Sequence, residues 1–118
     1  MSENVYEVSY IKPWELRRLR ELTTKVFSKI GTEKSRQRLI YDLLNTLKTN
    51  DRKGFLWLVL KNVNTLKSEE RSKVKEFVEF LSNRYLEYET TENFEKIAYA
   101  IVIGIMSAKD VEGGDKNE

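Results

Sequence analysis

Apolar residues recur along this chain at helical spacing in five successive blocks, separated by short polar stretches. The densest early block is Phe55-Leu56-Trp57-Leu58-Val59-Leu60, the longest unbroken apolar run in the first eighty residues. A run of that length fits a buried strand or a buried helix. Its flanks decide for a helix: Asp51 precedes it as an N-cap, and Lys61 to Leu66 carry the pattern on. Phe55, Leu56, Val59, Leu60, Val63 and Leu66 share one broad face, with Trp57 and Leu58 beside it. A helix apolar over most of its circumference belongs in the middle of a bundle, so the pattern places this one at the centre.

The other blocks arrange themselves around it. Residues 1–12 hold Val5, Tyr6, Val8, Tyr10 and Ile11, an apolar arm that docks on the bundle or meets another subunit. Pro13 opens the first helix, Leu16, Leu19, Leu22, Val26, Phe27 and Ile30 form its stripe, and Gly31 ends it. Thr32 caps the second, whose stripe is Leu39, Ile40, Leu43, Leu44 and Leu47 and whose end is Thr49-Asn50. Gly54, early in the third, permits close approach of a neighbour. Ser68 caps the fourth, with Val74, Phe77, Val78, Leu81, Tyr85 and Tyr88 inward and Glu76, Glu79 and Glu87 outward. The fifth runs from Glu92 to Ala108 after a Thr90-Thr91 cap. Its β-branched content would also suit a strand, but its length and its small residues Ala98, Ala100 and Gly104 favour a helix packed closely on two sides. The expected architecture is all-α: a compact bundle of about five antiparallel helices over residues 13–108, with an N-terminal arm at 1–12 and a disordered tail at 109–118.

Composition narrows the chemistry. The 118 residues fit one domain, 40% hydrophobic under a surface that makes the chain 34% charged. His and Cys are both absent, which removes imidazole bases, thiol nucleophiles, disulfides and the usual zinc and iron ligands. No acidic cluster has metal-site spacing, and no Ser–Lys pair has a base or glycine-rich loop beside it. Gly31-Thr32-Glu33-Lys34-Ser35 lacks the order and the preceding strand of a phosphate loop. The sequence therefore offers no catalytic residue, no metal site, no cofactor and no small-molecule substrate. It also shows no membrane-length apolar run and no secretory leader, so a cytoplasmic protein is expected. A single Gln, absent Cys and abundant Lys and Glu match thermophile habits.

Charge is uneven. Residues 1–61 hold 13 Lys and Arg against 7 Asp and Glu, while residues 62–108 hold 6 against 8 and residues 109–118 hold 2 against 4. The basic half carries the candidate nucleic-acid surface. Lys34, Arg38, Tyr41, Asn45 and Lys48 form the outward face of the second helix, and Arg18, Lys25 and Lys29 on the first helix extend it. Lysines and arginines along one face can track phosphates, and Tyr41 can stack on a base. The competing reading is a solvated helix face. Lys53, Trp57 and Lys61 make a second stripe, at i, i+4, i+8. With Phe80 they are candidates for a protein contact, whereas the apolar run around Trp57 favours its burial under another helix.

The stretches Ile40-Tyr41-Asp42-Leu43-Leu44 to Asn50-Asp51 and Gly54-Phe55-Leu56-Trp57-Leu58-Val59-Leu60-Lys61-Asn62-Val63-Asn64 lie in a short, basic, all-helical chain. In this the protein resembles the small subunits of archaeal CRISPR effector complexes, the type I Cascade small subunit nearest. The likeness covers most of the five helices and rests on size and helix pattern, so it transfers no functional residue. It implies a non-enzymatic subunit that stacks with itself and with other subunits. Such a subunit helps hold the crRNA–target duplex or the displaced DNA strand through positive surface. The rival is a helical adaptor or regulator that binds only protein, through Trp57, Phe80 and the arm.

Overall fold

Five α-helices form among the residues the computed structural model describes, which are 11–66, 71–87 and 91–109, without the side chains of residues 71, 84–87 and 91. They are α1 (Pro13–Phe27), α2 (Glu33–Lys48), α3 (Arg52–Val63), α4 (Arg71–Glu87) and α5 (Thr91–Ser107), and no strand occurs among the described residues. The expected all-α class is what the chain adopts. The readings of residues 1–10, the Ser68 and Thr90 caps, the inward Tyr85 and Tyr88, the outward Glu87 and the tail beyond Lys109 lie outside the described residues or side chains.

Local chemistry explains the boundaries. At the start of α1 the Glu15 carboxylate accepts the Lys12 N–H at 3.0 Å. The α-helix stops at Phe27, earlier than the expected Gly31. Beyond it the bonds Lys29 N–H to Val26 C=O (3.1 Å) and Ile30 N–H to Phe27 C=O (3.4 Å) tighten the chain before Gly31 takes φ 66°. Thr32 and Ser35 cap α2 reciprocally, each side-chain oxygen accepting the other's N–H at 3.2 and 2.9 Å. At its far end Asn50 (φ 58°) donates to Leu47 and Asp51 donates to Thr46 at 3.1 and 2.8 Å. This is the paired-bond helix stop in which asparagine stands in for glycine. Asp51 then accepts the Gly54 N–H at 2.9 Å, so one residue ends α2 and caps α3 with no linker between.

The centre of the molecule is the α1–α5 pair, which shares the most extensive helix–helix contact. Ile11 N–H reaches Asn93 Oδ1 (3.4 Å), Thr24 Oγ1 donates to the Gly104 carbonyl (2.9 Å), and Lys109 N–H reaches Ser28 Oγ (3.3 Å). Both residue numbers rise together, so the two helices run parallel. A parallel first and last helix is also what five helices alternating in direction would give. Gly104 permits the approach. A Cβ there would stand 2.6 Å from the Thr23 Cβ and 2.8 Å from the Arg20 carbonyl oxygen. Helix α4 lies along the other flank of α1, and α2 packs on both α3 and α5.

This arrangement corrects the expected centre. Helix α5 buries Phe94, Ile97, Ala98, Ala100, Ile101, Val102 and Ile105, whereas α3 buries only Phe55, Val59 and Val63 and leaves Trp57 59% exposed. Gly54 likewise is close to its own cap, not to a neighbouring helix: a Cβ there would meet the Asp51 carboxylate. Leu44, expected in the core stripe of α2, is exposed, while Leu39 and Leu43 are buried. The one buried cation described is Arg36. Its guanidinium donates to the Phe27 and Ile30 carbonyls, both at 3.3 Å, and so satisfies the end of α1.

Candidate nucleic-acid interface

The reciprocal cap at Thr32 and the Asn50 stop fix α2 as a 16-residue helix with a set rotation. With Leu39 and Leu43 turned to the core, 3.6 residues per turn place Lys34, Arg38, Tyr41, Asn45 and Lys48 on the opposite side. All five are exposed, as the sequence pattern implies. Lys34, Arg38 and Lys48 make no ion pair, and the stripe itself holds no carboxylate. From Lys34 to Lys48 the helix advances about 21 Å, the axial length of roughly six phosphates on one duplex strand.

Helix α5 adds what the sequence concealed. Tyr41, Leu44, Asn45 and Lys48 line a groove of about 380 Å³ with Phe94, Glu95 and Tyr99. Tyr41 and Tyr99 are 67% and 51% exposed, so two rings, a lysine and an amide share one open trough. Rings at such a place can stack on bases while Lys48 takes a phosphate. Beyond Tyr99 the exposed Ile103 and Met106 continue an apolar ridge along α5. The i, i+4, i+7 spacing of Tyr99, Ile103 and Met106 was legible, but every face of α5 is apolar, and nothing in the pattern told the outward one from the others.

The structure separates the α1 cations from this face. Arg18 forms an ion pair with Glu76 of α4, both side chains half exposed. Lys25 and Lys29 line another groove, of about 510 Å³, between α1 and α4. Its floor is Leu22, Val26, Leu66 and Val74, and its rim includes Ser28, Lys73 and Glu76. Arg18, Lys25 and Lys29 are therefore no extension of the α2 stripe. They face α4, where Glu76 and Lys73 stand on the groove's rim, and the contact of α1 with α5 turns them to that side.

The second stripe holds together: Lys53, Trp57 and Lys61 are all exposed on α3, and the Lys61 ammonium lies 4.8 Å from the Trp57 ring centroid. The expected burial of Trp57 does not occur. Phe80, placed with this group from the sequence, is half-buried and packs against the core of the bundle. Among the described residues no cluster of three or more carboxylates could hold a metal ion, and no helix is long and apolar enough to cross a membrane. Comparison with protein-family models, with curated proteins and with solved structures finds no match for this chain.

Proposed function

We propose that this chain is a non-enzymatic small subunit of a CRISPR RNA-guided effector complex of the Cascade type, which contacts nucleic-acid phosphates without reading sequence. The observation that carries the reading is the outward face of α2: three cations without acidic partners beside a groove with two exposed tyrosines. Cations on one helical face supply the salt-dependent, sequence-independent part of affinity, and exposed rings supply stacking that every base accepts. Its partners in this reading are crRNA or target DNA, other subunits and further copies of itself. The apolar ridge of α5 and the Trp57 stripe are available for the protein contacts. A Tyr41→Ala/Tyr99→Ala variant tests it. Its affinity for labelled single-stranded RNA should fall about tenfold or more, because each stacked base contributes ~1–3 kcal/mol. RNA and DNA that bind neither the chain alone nor its assembled complex at low salt overturn the reading.

The second reading, a helical adaptor that binds only protein, is favoured by one observation: Trp57 stands exposed with its ring against a lysine, as an interface anchor would. It predicts that Trp57→Ala abolishes partner binding with the bundle intact.

A further inference from the structure

Helix α3 carries a surface whose chemistry fits a polyanion better than a protein. Its 12 residues include no Asp or Glu, and the carboxylate that precedes them, Asp51, is engaged by the Gly54 N–H. Lys53 and Lys61 are exposed, and neither forms an ion pair. They lie about 12 Å apart along the helix axis, the rise of roughly three to four phosphates on one strand. Trp57 stands midway between them. The Lys61 ammonium lies 4.8 Å from the centroid of its ring, and the ring is still 59% exposed, so an aromatic surface stands open between two cations. The centre of a protein interface is built differently: it packs its anchor among other buried side chains and is depleted in lysine. Among the described residues of α3, Trp57 is the only exposed large apolar side chain, while Leu56, Leu58 and Leu60 are half-buried against the core. The cations of α2 end at Lys48, and those of α3 begin at Lys53, directly across the turn in which Asn50 stops one helix and Asp51 caps the next.

We infer that the Lys53–Trp57–Lys61 stripe is a second contact for single-stranded nucleic acid, with one base stacked on Trp57 and phosphates at Lys53 and Lys61. A duplex offers the ring no free base face, whereas every base of a single strand has one, so the stripe selects the strand form without selecting a sequence. Two cations and one ring hold a strand too weakly to replace the α2 face, and the stripe lengthens that contact across the turn. The inference rests on the proposed function and adds to it a second surface and the form of nucleic acid taken there.

Tryptophan emission from the full chain tests it. The sequence holds two tryptophans, Trp14 and Trp57, so a Trp14→Phe variant with an unchanged circular dichroism spectrum leaves Trp57 as the sole reporter. An oligouridine of about 12 nucleotides, within the usual range of single-strand sites, should quench that emission in step with its binding. A duplex RNA of the same length should quench it little. In the same background Lys53→Gln/Lys61→Gln should lower the slope of log affinity against log salt by about 1.4, the share of two phosphates. Trp57→Ala should weaken oligouridine binding about fivefold or more, as the loss of one stacked base does. Oligouridine that binds with Trp57 emission and salt slope both unmoved overturns the α3 contact, keeps the α2 reading and leaves Trp57 to a protein partner. Equal quenching by the duplex overturns it as well. Absence of any binding by the chain at low salt also overturns the inference, and the proposed function then stands or falls with the assembled complex.

Discussion

Helices α3 and α5 look alike as strings of apolar residues and behave differently in the fold. Helix α3 has the denser short run and two aromatic residues, yet it buries one stripe and turns Trp57 to solvent. Helix α5 mixes Ile and Val with Ala98, Ala100 and Gly104, and it is buried on most of its circumference. The difference is side-chain size on the flanks. Gly104 lets the α1 backbone approach until its Arg20 carbonyl would touch a Cβ, and Ala98 and Ala100 are buried on either side of Ile101. The corresponding flanks of α3 hold Leu56, Leu58 and Leu60, which keep neighbours at a distance and remain half-buried. A helix becomes central by admitting neighbours on two sides, and small residues do that better than a long run of large ones.

The comparison can be broken at its strongest point first. Ile101 is fully buried in α5, and Ile101→Ala should cost ~2–5 kcal/mol in denaturant unfolding. Gly104→Ala forces a methyl against the α1 backbone and should cost ~1–3 kcal/mol, because the atoms it meets include a main-chain oxygen that cannot turn aside. The glycine of α3 gives the opposite result. At Gly54 the added methyl meets only the Asp51 carboxylate. The cap loss of ~1 kcal/mol is offset by a helix-propensity gain of ~1 kcal/mol, and thermal melting should shift little. Smallest of all, Trp57→Ala should change stability by no more than ~0.5 kcal/mol, since most of the ring is in water. A large loss at Trp57, or none at Gly104, would reverse the roles assigned to the two helices.

How much of this was legible in the sequence follows from the same physics. Five helices could be read because each carries a 3.6-residue stripe, and four of the boundaries are marked by Pro13, Thr32, Asn50 and Asp51 acting through local bonds. The outward face of α2 was legible for the same reason: Lys34, Arg38, Tyr41, Asn45 and Lys48 recur at helical spacing opposite Leu39 and Leu43. Which helix lies at the centre, and which face of α5 remains uncovered, was not. Both depend on how closely two backbones approach, and that distance has no signature in periodicity. Arg36 escaped notice because a buried guanidinium on a charged helix reads as one more surface cation until the α1 carbonyls it satisfies are in place. The separation of Arg18, Lys25 and Lys29 from the α2 cations was hidden likewise. Their grouping on α1 was correct, but the rotation that turns them to α4 comes from Thr23 and Thr24 meeting Gly104.

The central claim is that the outward face of α2 is a phosphate-binding surface. Its most direct test is an anisotropy titration of labelled single-stranded RNA and DNA across a salt series, with Lys34→Glu/Arg38→Glu/Lys48→Glu beside the unaltered chain. These three side chains are exposed and unpaired, so the variant should fold as the parent does, which circular dichroism checks. The account predicts binding that weakens linearly in log salt, is indifferent to sequence, and is lost in the variant. Equal binding by both proteins would contradict it and leave the α2 face as solvated surface.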